Sequence, residues 1–358
     1  MNPEQPLIQL RTNTRQILSC QSDFLLMKQS VDRMYQLFST ITGIDISGYQ
    51  EEIFLPSGKA ISPSAAAHCL LELKRTAVFL RGIHQAILDK KAENPGRPVK
   101  ILYAGTGPYG TLVIPLFSVL SPADLQADLL DINPCSLNSL KKLIKAFDIG
   151  EFVGNMYTDD ASTFEMMHDS DIVISETMQA CLKNEPQVAI MQNLIPQMKS
   201  GAVFIPEEIS IDAYLTNPKM EHDRLFYNEG KEIPFERIAL GNVFTVNREN
   251  LETVRLRNTL SLPGKLDSFP ELKLFTGIRV YGDETLGEND CSLNLPQKYY
   301  DFRVQKADAV RFWYETGEIP GIRCRPEGSS TIVSRPGKYP RPDYYQLYLE
   351  KQATTTNN

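Results

Sequence analysis

The sequence predicts an α/β protein: a Rossmann-like, doubly wound sheet preceded by N-terminal helices and followed by a mostly β C-terminal domain. Three observations carry the prediction. Between residues 99 and 206 short apolar runs alternate with helix-period stretches, a glycine-rich turn follows the first of those runs, and after Pro206 the texture changes to short β-branched and aromatic runs separated by turn residues. A chain of 358 residues can build one large domain or two ordinary ones.

The elements follow in order. From Ser22 to Ile41, Phe24, Met27, Val31, Met34, Leu37 and Phe38 recur at helical spacing, and a second amphipathic run spans Ser64 to about Lys90 after the turn-rich Leu55-Pro56-Ser57-Gly58. Residues 1–98 therefore read as two or three helices. Asn94-Pro95-Gly96-Arg97-Pro98 breaks the pattern and leads into Val99–Ala104, a buried strand. The apolar stretch Thr111–Leu120 reads as helical, Ala127–Leu130 as a strand ending in Asp131, and Ser136–Phe147 as a helix. A third strand precedes Asp159. Asp171–Ser175 is another buried strand, Val188–Met198 a helix, and Ala202–Ile205 a last strand before Pro206. This rhythm makes residues 99–206 a parallel-sheet domain with ligand binding outside the strand C-termini. Residues 207–350 read as a β-rich domain with strands at Ile209–Leu215, Asn242–Val246, Thr253–Leu260, Ile278–Tyr281, Thr331–Val333 and Tyr344–Leu349, and residues 351–358 as a frayed tail.

Composition excludes several function classes. With 37 Lys and Arg against 44 Asp and Glu the net charge is -7, so no global field favours a polyanion and nucleic acid is not an expected partner. The six cysteines are scattered, the closest pair 33 positions apart, and the four histidines lack metal spacing, so no metal is expected. The charged and amide-rich start is unlike a secretory signal, and no run approaches the roughly 18 apolar residues that span a bilayer. The expectation is a cytoplasmic protein with no membrane partner.

Glycines at 105, 107 and 110 follow the first strand in Ala104-Gly105-Thr106-Gly107-Pro108-Tyr109-Gly110. Glycine permits positive φ and lets a ligand approach the backbone. Asp131, at the tip of the second strand, is placed to accept hydrogen bonds from ribose hydroxyls, so Gly105, Gly107 and Asp131 point to an adenosine-containing ligand. Pro108 and Tyr109 occupy the would-be helix start, which disfavours a pyrophosphate and leaves S-adenosylmethionine as the expected cofactor. Asp160, in Asp159-Asp160-Ala161 after the third strand, stands where such a cofactor's adenine amino group is met. The alternative for Asp159 and Asp160 is a solvated turn.

The fourth strand runs into Ser175-Glu176-Thr177-Met178-Gln179-Ala180-Cys181-Leu182-Lys183-Asn184-Glu185, with Glu176 and Glu185 nine residues apart. On one helix they would face opposite sides, so they converge only if the segment is a hairpin-like loop. Converging carboxylates repel and raise a pKa unless a cation lies between them. A guanidinium satisfies both with its fork of donors. The alternative for Glu185, which precedes Pro186, is an acid at a helix start.

This segment resembles the double-glutamate loop of the protein arginine methyltransferase family. Leu71-Glu72-Leu73-Lys74-Arg75-Thr76 resembles the family's helix motif, which implies that Arg75 holds the cofactor's methionine carboxylate. Leu194–Pro206 resembles the family's last core segment before its β domain. The likeness covers roughly residues 60–215 and implies a class I S-adenosylmethionine-dependent methyltransferase with Glu176 and Glu185 catalytic, and a homodimer, which the family often forms. Three departures stand out. Tyr103 replaces the acid two residues before the first glycine, the third glycine falls one position late, and no histidine is followed by Trp, so the family's Thr-His-Trp loop is absent. Its nearest analogue is Pro342-Asp343-Tyr344-Tyr345-Gln346, in which Tyr345 offers an aromatic wall and Asp343 a carboxylate. The expected acceptor is thus a guanidino or amino nitrogen of a small molecule, free arginine first, rather than a protein. Two other readings stay open: a C- or O-methyltransferase of a small metabolite with Glu176 as general base, and a catalytically inactive binding protein of the same fold. Trp313, with Phe312 and Tyr314, reads as β-domain core.

Overall fold

The computed structural model describes residues 5–19, 23–45, 47–226, 235–251, 257–264, 266–303 and 306–328. The helical segment comprises α1 (Gln5–Ser19), α2 (Phe24–Thr42), a two-stranded hairpin of β1 (Ile53–Leu55) and β2 (Gly58–Ala60), α3 (Pro63–His68) and α4 (Leu73–Glu93). Asp23 caps α2 by accepting the Leu26 N–H, and Gly43 closes it in the left-handed region at φ 74°. Two features differ from the sequence expectation here. The run from Ser64 to Lys90 is not continuous: a single 3-10 turn at Cys69–Leu71 and the non-helical Glu72, with ψ 86°, separate α3 from α4. The hairpin was not expected at all, because strands of three residues are too short to show a period.

The next elements are β3 (Val99–Ala104), α5 (Ile114–Phe117), β4 (Leu125–Asp131), α6 (Pro134–Phe147), β5 (Val153–Thr158), β6 (Ile172–Ser175), α7 (Gln187–Leu194) and β7 (Val203–Ile205). They form the expected parallel five-stranded sheet, in the order β5-β4-β3-β6-β7. Helix α5 is much shorter than the stretch Thr111–Leu120 suggested, since Thr111–Val113 are spent in turns after Gly110. Register matters for function. Ala104 pairs with Leu130 on one side and Ser175 on the other, so Gly105, Asp131 and Glu176 are each the residue at or just past the same edge of three adjacent strands. That edge is where the strand order reverses.

The remaining elements are β8 (Glu208–Thr216), α8 (Pro218–Phe226), β9 (Arg237–Asn247), β10 (Asn258–Ser261), β11 (Glu271–Tyr281), β12 (Glu284–Leu286), β13 (Gln297–Asp301), β14 (Ala309–Glu315) and β15 (Gly321–Glu327). They make two antiparallel sheets, β12-β11-β8-β9 with β13 added to β11, and β10-β14-β15. Phe312 and Tyr314 are buried and Trp313 is half-buried, as alternation along β14 requires. The expected strands at Thr331–Val333 and Tyr344–Leu349, the first part of Thr253–Leu260, Asp343, Tyr345 and the tail 351–358 lie outside the described residues.

Helix α4 joins the two regions. It packs on β3 and also on β11 and β12, and at Gly82 a Cβ would stand 2.7 Å from Val280 Cγ1. The small residue permits that close approach. No helix among the described residues is long and apolar enough to cross a membrane.

Candidate functional site

A cavity of about 500 Å³ opens at the edge where β3, β4 and β6 end. Its floor is the glycine turn. Gly105, Gly107 and Gly110 all have positive φ, at 76°, 60° and 54°, and a Cβ on Gly105 would collide with Thr177 Cγ2. Tyr109, the bulky residue of this turn, is buried. Its hydroxyl donates to the Ile44 carbonyl at 2.5 Å and its ring meets Phe38 edge-on at 5.4 Å. The turn therefore anchors the N-terminal helices over the sheet edge, which explains a tyrosine where a helix start was conceivable.

Asp131 braces the turn. Its Oδ2 accepts the Gly107 N–H at 2.7 Å and a longer bond from Thr106 Oγ1 at 3.3 Å, while Oδ1 accepts the Asn133 N–H at 2.7 Å. Burial pushes its pKa up and these backbone N–H groups oppose the shift. Asp160 is half-buried, lines the same cavity and accepts the Ser162 N–H at 2.8 Å. Asp159 is exposed, although it too borders the cavity.

Glu176 and Glu185 do converge on the cavity. The connection between them is a loop with a single 3-10 turn, in which Cys181, Leu182 and Asn184 take positive φ at 58°, 54° and 66°. Non-glycine residues in that region cost roughly 1–3 kcal/mol each and persist only where surroundings impose them. Here the surroundings are specific: Cys181 N–H donates to Thr276 Oγ1 at 2.9 Å, Tyr314 Oη donates to the Leu182 carbonyl at 3.0 Å, and Asn184 N–H donates to the Pro320 carbonyl at 2.9 Å. The hairpin adds a fourth tie, from Lys59 N–H to the Asn184 carbonyl at 2.8 Å. The antiparallel region thus holds the loop that carries both glutamates.

Helix α7 begins at Gln187 behind Pro186, so Glu185 also lies at a helix start, as its alternative reading held. It is nonetheless only 6% exposed and faces the cavity. Burial, and then the nearby Glu176, push its pKa up to about 7. Glu176 is also pushed up by burial, with Arg75 opposing, and its Oε1 is buried without a hydrogen-bond partner.

Arg75 lines the cavity but is engaged by the protein itself. Its Nη1 donates to Glu72 Oε2 at 2.8 Å and its Nη2 to Glu176 Oε2. Glu72 in turn accepts from Ser292 N–H and Ser292 Oγ, both at 2.9 Å. A guanidinium does lie against Glu176, but it is this internal arginine, and it bonds Glu72 and Glu176 rather than both glutamates of the loop. Tyr103, in place of an acid, is buried beside the cavity, and burial raises its pKa, so it presents a neutral hydroxyl.

Several contributors were not identified from sequence. Arg75 was identified through the resemblance, but the role of Glu72 was not, although the two stand three apart at a helix start, a spacing that signals contact. Ser292, Lys59, Lys183 and Gln187 gave no such signal, because their partners lie far along the chain. Among the described residues no group of three His, Cys, Asp or Glu is arranged to hold a metal, and the five described cysteines are free.

No family model matches the chain. A curated relative, the uncharacterized protein MJ1452 of Methanocaldococcus jannaschii, is 28% identical over 102 residues, which are 28% of this chain and 38% of the relative. The match thus spans about two fifths of that relative's length. Two solved structures are similar. The PRMT1 enzyme-prozyme heterotetrameric complex of Trypanosoma brucei with AdoHcy aligns with a TM-score of 0.46 at 12% identity, over 75% of this chain and 94% of that one. The crystal structure of PRMT6 aligns with a TM-score of 0.44 at 10% identity, over 68% of this chain and 98% of that one.

Proposed function

We propose that the protein is an S-adenosylmethionine-dependent N-methyltransferase whose acceptor is a guanidino or amino nitrogen of a small molecule. One observation carries the reading: two buried carboxylates, Glu176 and Glu185, face one cavity whose floor is a turn with glycines at 105 and 107, at the end of a parallel sheet. Acids in such a place bind a cation or move a proton.

The residues fit the cofactor. The cavity is within the usual range of roughly 300–1,000 Å³ for small-molecule sites. Gly105 and Gly107 let a ligand lie against the backbone. Asp131 takes three hydrogen bonds from the protein, so one of a carboxylate's roughly four acceptor positions is left for a ribose hydroxyl. Asp160 is available for the adenine end, and Arg75 for the methionine carboxylate if it turns from Glu176. When bound, S-adenosylmethionine supplies an electrophilic methyl on a sulfonium.

The chain's own residues do the rest. Glu176 Oε1, buried and without a partner, accepts from the acceptor cation and orients its nitrogen. Glu185, with a pKa near 7, takes the proton that the nitrogen loses. Positioning the nitrogen supplies much of the rate. The loop geometry imposed by Thr276, Tyr314 and Pro320 keeps the two carboxylates in place.

Calorimetry with S-adenosylmethionine, followed by a mass shift of one methyl on arginine or another small guanidine or amine, tests the reading. Expected are cofactor binding and transfer that is lost in Glu176→Gln. Failure to bind S-adenosylmethionine, or turnover indifferent to both glutamates, overturns it.

A further inference from the structure

We infer that the acceptor carries a carboxylate in addition to its reacting nitrogen, and that Lys183 binds that carboxylate. The inference rests on the guanidine or amine reading of Glu176 and Glu185 given above. Lys183 lies on the connection between the two glutamates and lines the same cavity.

Its ammonium is not spent on a carboxylate. Nζ donates to the neutral amide oxygen of Gln297 at 2.7 Å, and among the described residues no acid is within ion-pair distance of it. The other two cations lining the cavity are neutralised: Arg75 by Glu72 and Glu176, and Lys59 by Glu52 at 2.6 Å. An ammonium has three donors, so two remain for a ligand.

The lysine is also held in place at both ends. Its backbone is flanked by Leu182 and Asn184, both at positive φ and both tied to the antiparallel region. At the far end, Gln297 Nε2 donates to the Leu295 carbonyl at 3.0 Å, which keeps its amide oxygen turned toward Lys183. A cation fixed at both ends loses less freedom when it binds.

Charge then decides the substrate class. A carboxylate-bearing acceptor entering a cavity with two buried glutamates is repelled at its anionic end unless a cation receives that end. Among the described residues, Lys183 is the cation lining this cavity that has no acid within ion-pair distance. A residue inside a polypeptide has its α-carboxylate consumed in the peptide bond, so this recognition favours a free amino acid over a protein.

The test uses the full chain saturated with S-adenosylhomocysteine and two matched pairs, arginine against agmatine and lysine against cadaverine, with affinity read by calorimetry. In at least one pair the carboxylated member should bind about 10-fold tighter or more, as a charge-assisted bond is worth. Lys183→Ala should erase the difference by weakening only the carboxylated member, Lys183→Arg should restore it, and Lys183→Glu should invert it. Affinity for S-adenosylmethionine should stay within about 2-fold in all three variants. Equal binding of both members of each pair, a preference that survives Lys183→Ala, or a loss confined to S-adenosylmethionine overturns this inference alone. Binding of S-adenosylhomocysteine with no binding by any of the four compounds overturns the acceptor reading and this inference with it.

Discussion

Gln187 holds Thr177 across the base of the glutamate loop: its Oε1 accepts the Thr177 backbone N–H at 2.8 Å and the Thr177 hydroxyl at 3.1 Å. Its Nε2 donates to the Ser175 carbonyl at 3.1 Å, so one fully buried amide grips the backbone on both sides of Glu176. Gln187 is itself two residues past Glu185. The clamp therefore sets the position of one carboxylate relative to the other.

Replacing Gln187 with Met keeps the volume and removes all three bonds. The stranded Thr177 N–H and Ser175 carbonyl should cost about 1–3 kcal/mol of stability each at most, read by urea denaturation. The functional signature should be a fall in kcat with S-adenosylmethionine affinity nearly unchanged. A variant that loses stability but keeps kcat shows that the clamp does not position Glu176.

Arg75 and Glu176 are coupled in the interior. Arg75→Ala strands a carboxylate whose side chain is only 5% exposed, and should destabilise by about 3–5 kcal/mol. Adding Glu176→Gln should recover part of that loss, because the uncompensated charge is gone. A double-mutant cycle by chemical denaturation with strictly additive effects contradicts the pairing.

Gly105→Ala should be worse than Gly107→Ala. Both place a side chain at positive φ, a cost of roughly 1–2 kcal/mol. At Gly107 the new Cβ stands 3.2 Å from Ala66 Cβ, whereas at Gly105 it collides with Thr177. Thr177→Ser removes that methyl and should rescue the steric part of Gly105→Ala but not the backbone part. Thermal unfolding of the three single variants and the double variant decides it.

Glu185 makes stability and binding depend on pH. Its folded pKa, about 7, lies above the ordinary value of 4.5, so between these values the folded state holds more protons than the unfolded chain. Its contribution to stability is thus largest below pH 4.5 and is lost as pH rises through 7, at up to about 1.4 kcal/mol per unit. A cationic acceptor prefers the carboxylate, so acceptor affinity should rise with pH through the same window and binding should release a proton. Glu185→Gln should flatten both profiles. Calorimetry in buffers of different ionisation enthalpy measures the proton directly.

The parallel sheet, the glycine turn, Asp131 and the paired glutamates were legible in the sequence because each is local. Apolar runs such as Ile101–Ala104 and Ile172–Ser175 announce buried strands, and a strand followed by glycines announces the turn. The nine-residue spacing of Glu176 and Glu185 already implied that the two could converge only from a loop, since one helix would set them on opposite faces. The hairpin β1-β2 and the break at Glu72 were not legible, since each is shaped by what it packs against: the Asn184 carbonyl in one case, Ser292 in the other.

What the sequence determined by itself is the local pattern: which segments are strands, where the backbone must turn through glycine, and which acids stand at strand ends. What only the tertiary structure decided is which charges meet. Arg75 lies 101 positions from Glu176, and Lys183 lies 114 from Gln297. Pairings over such distances depend on strand register and on the antiparallel region closing against the loop, so one guanidinium ends up against two carboxylates and one ammonium against a neutral amide. Hydrophobic periodicity is written along the chain, whereas electrostatic partnership exists only after the chain has folded.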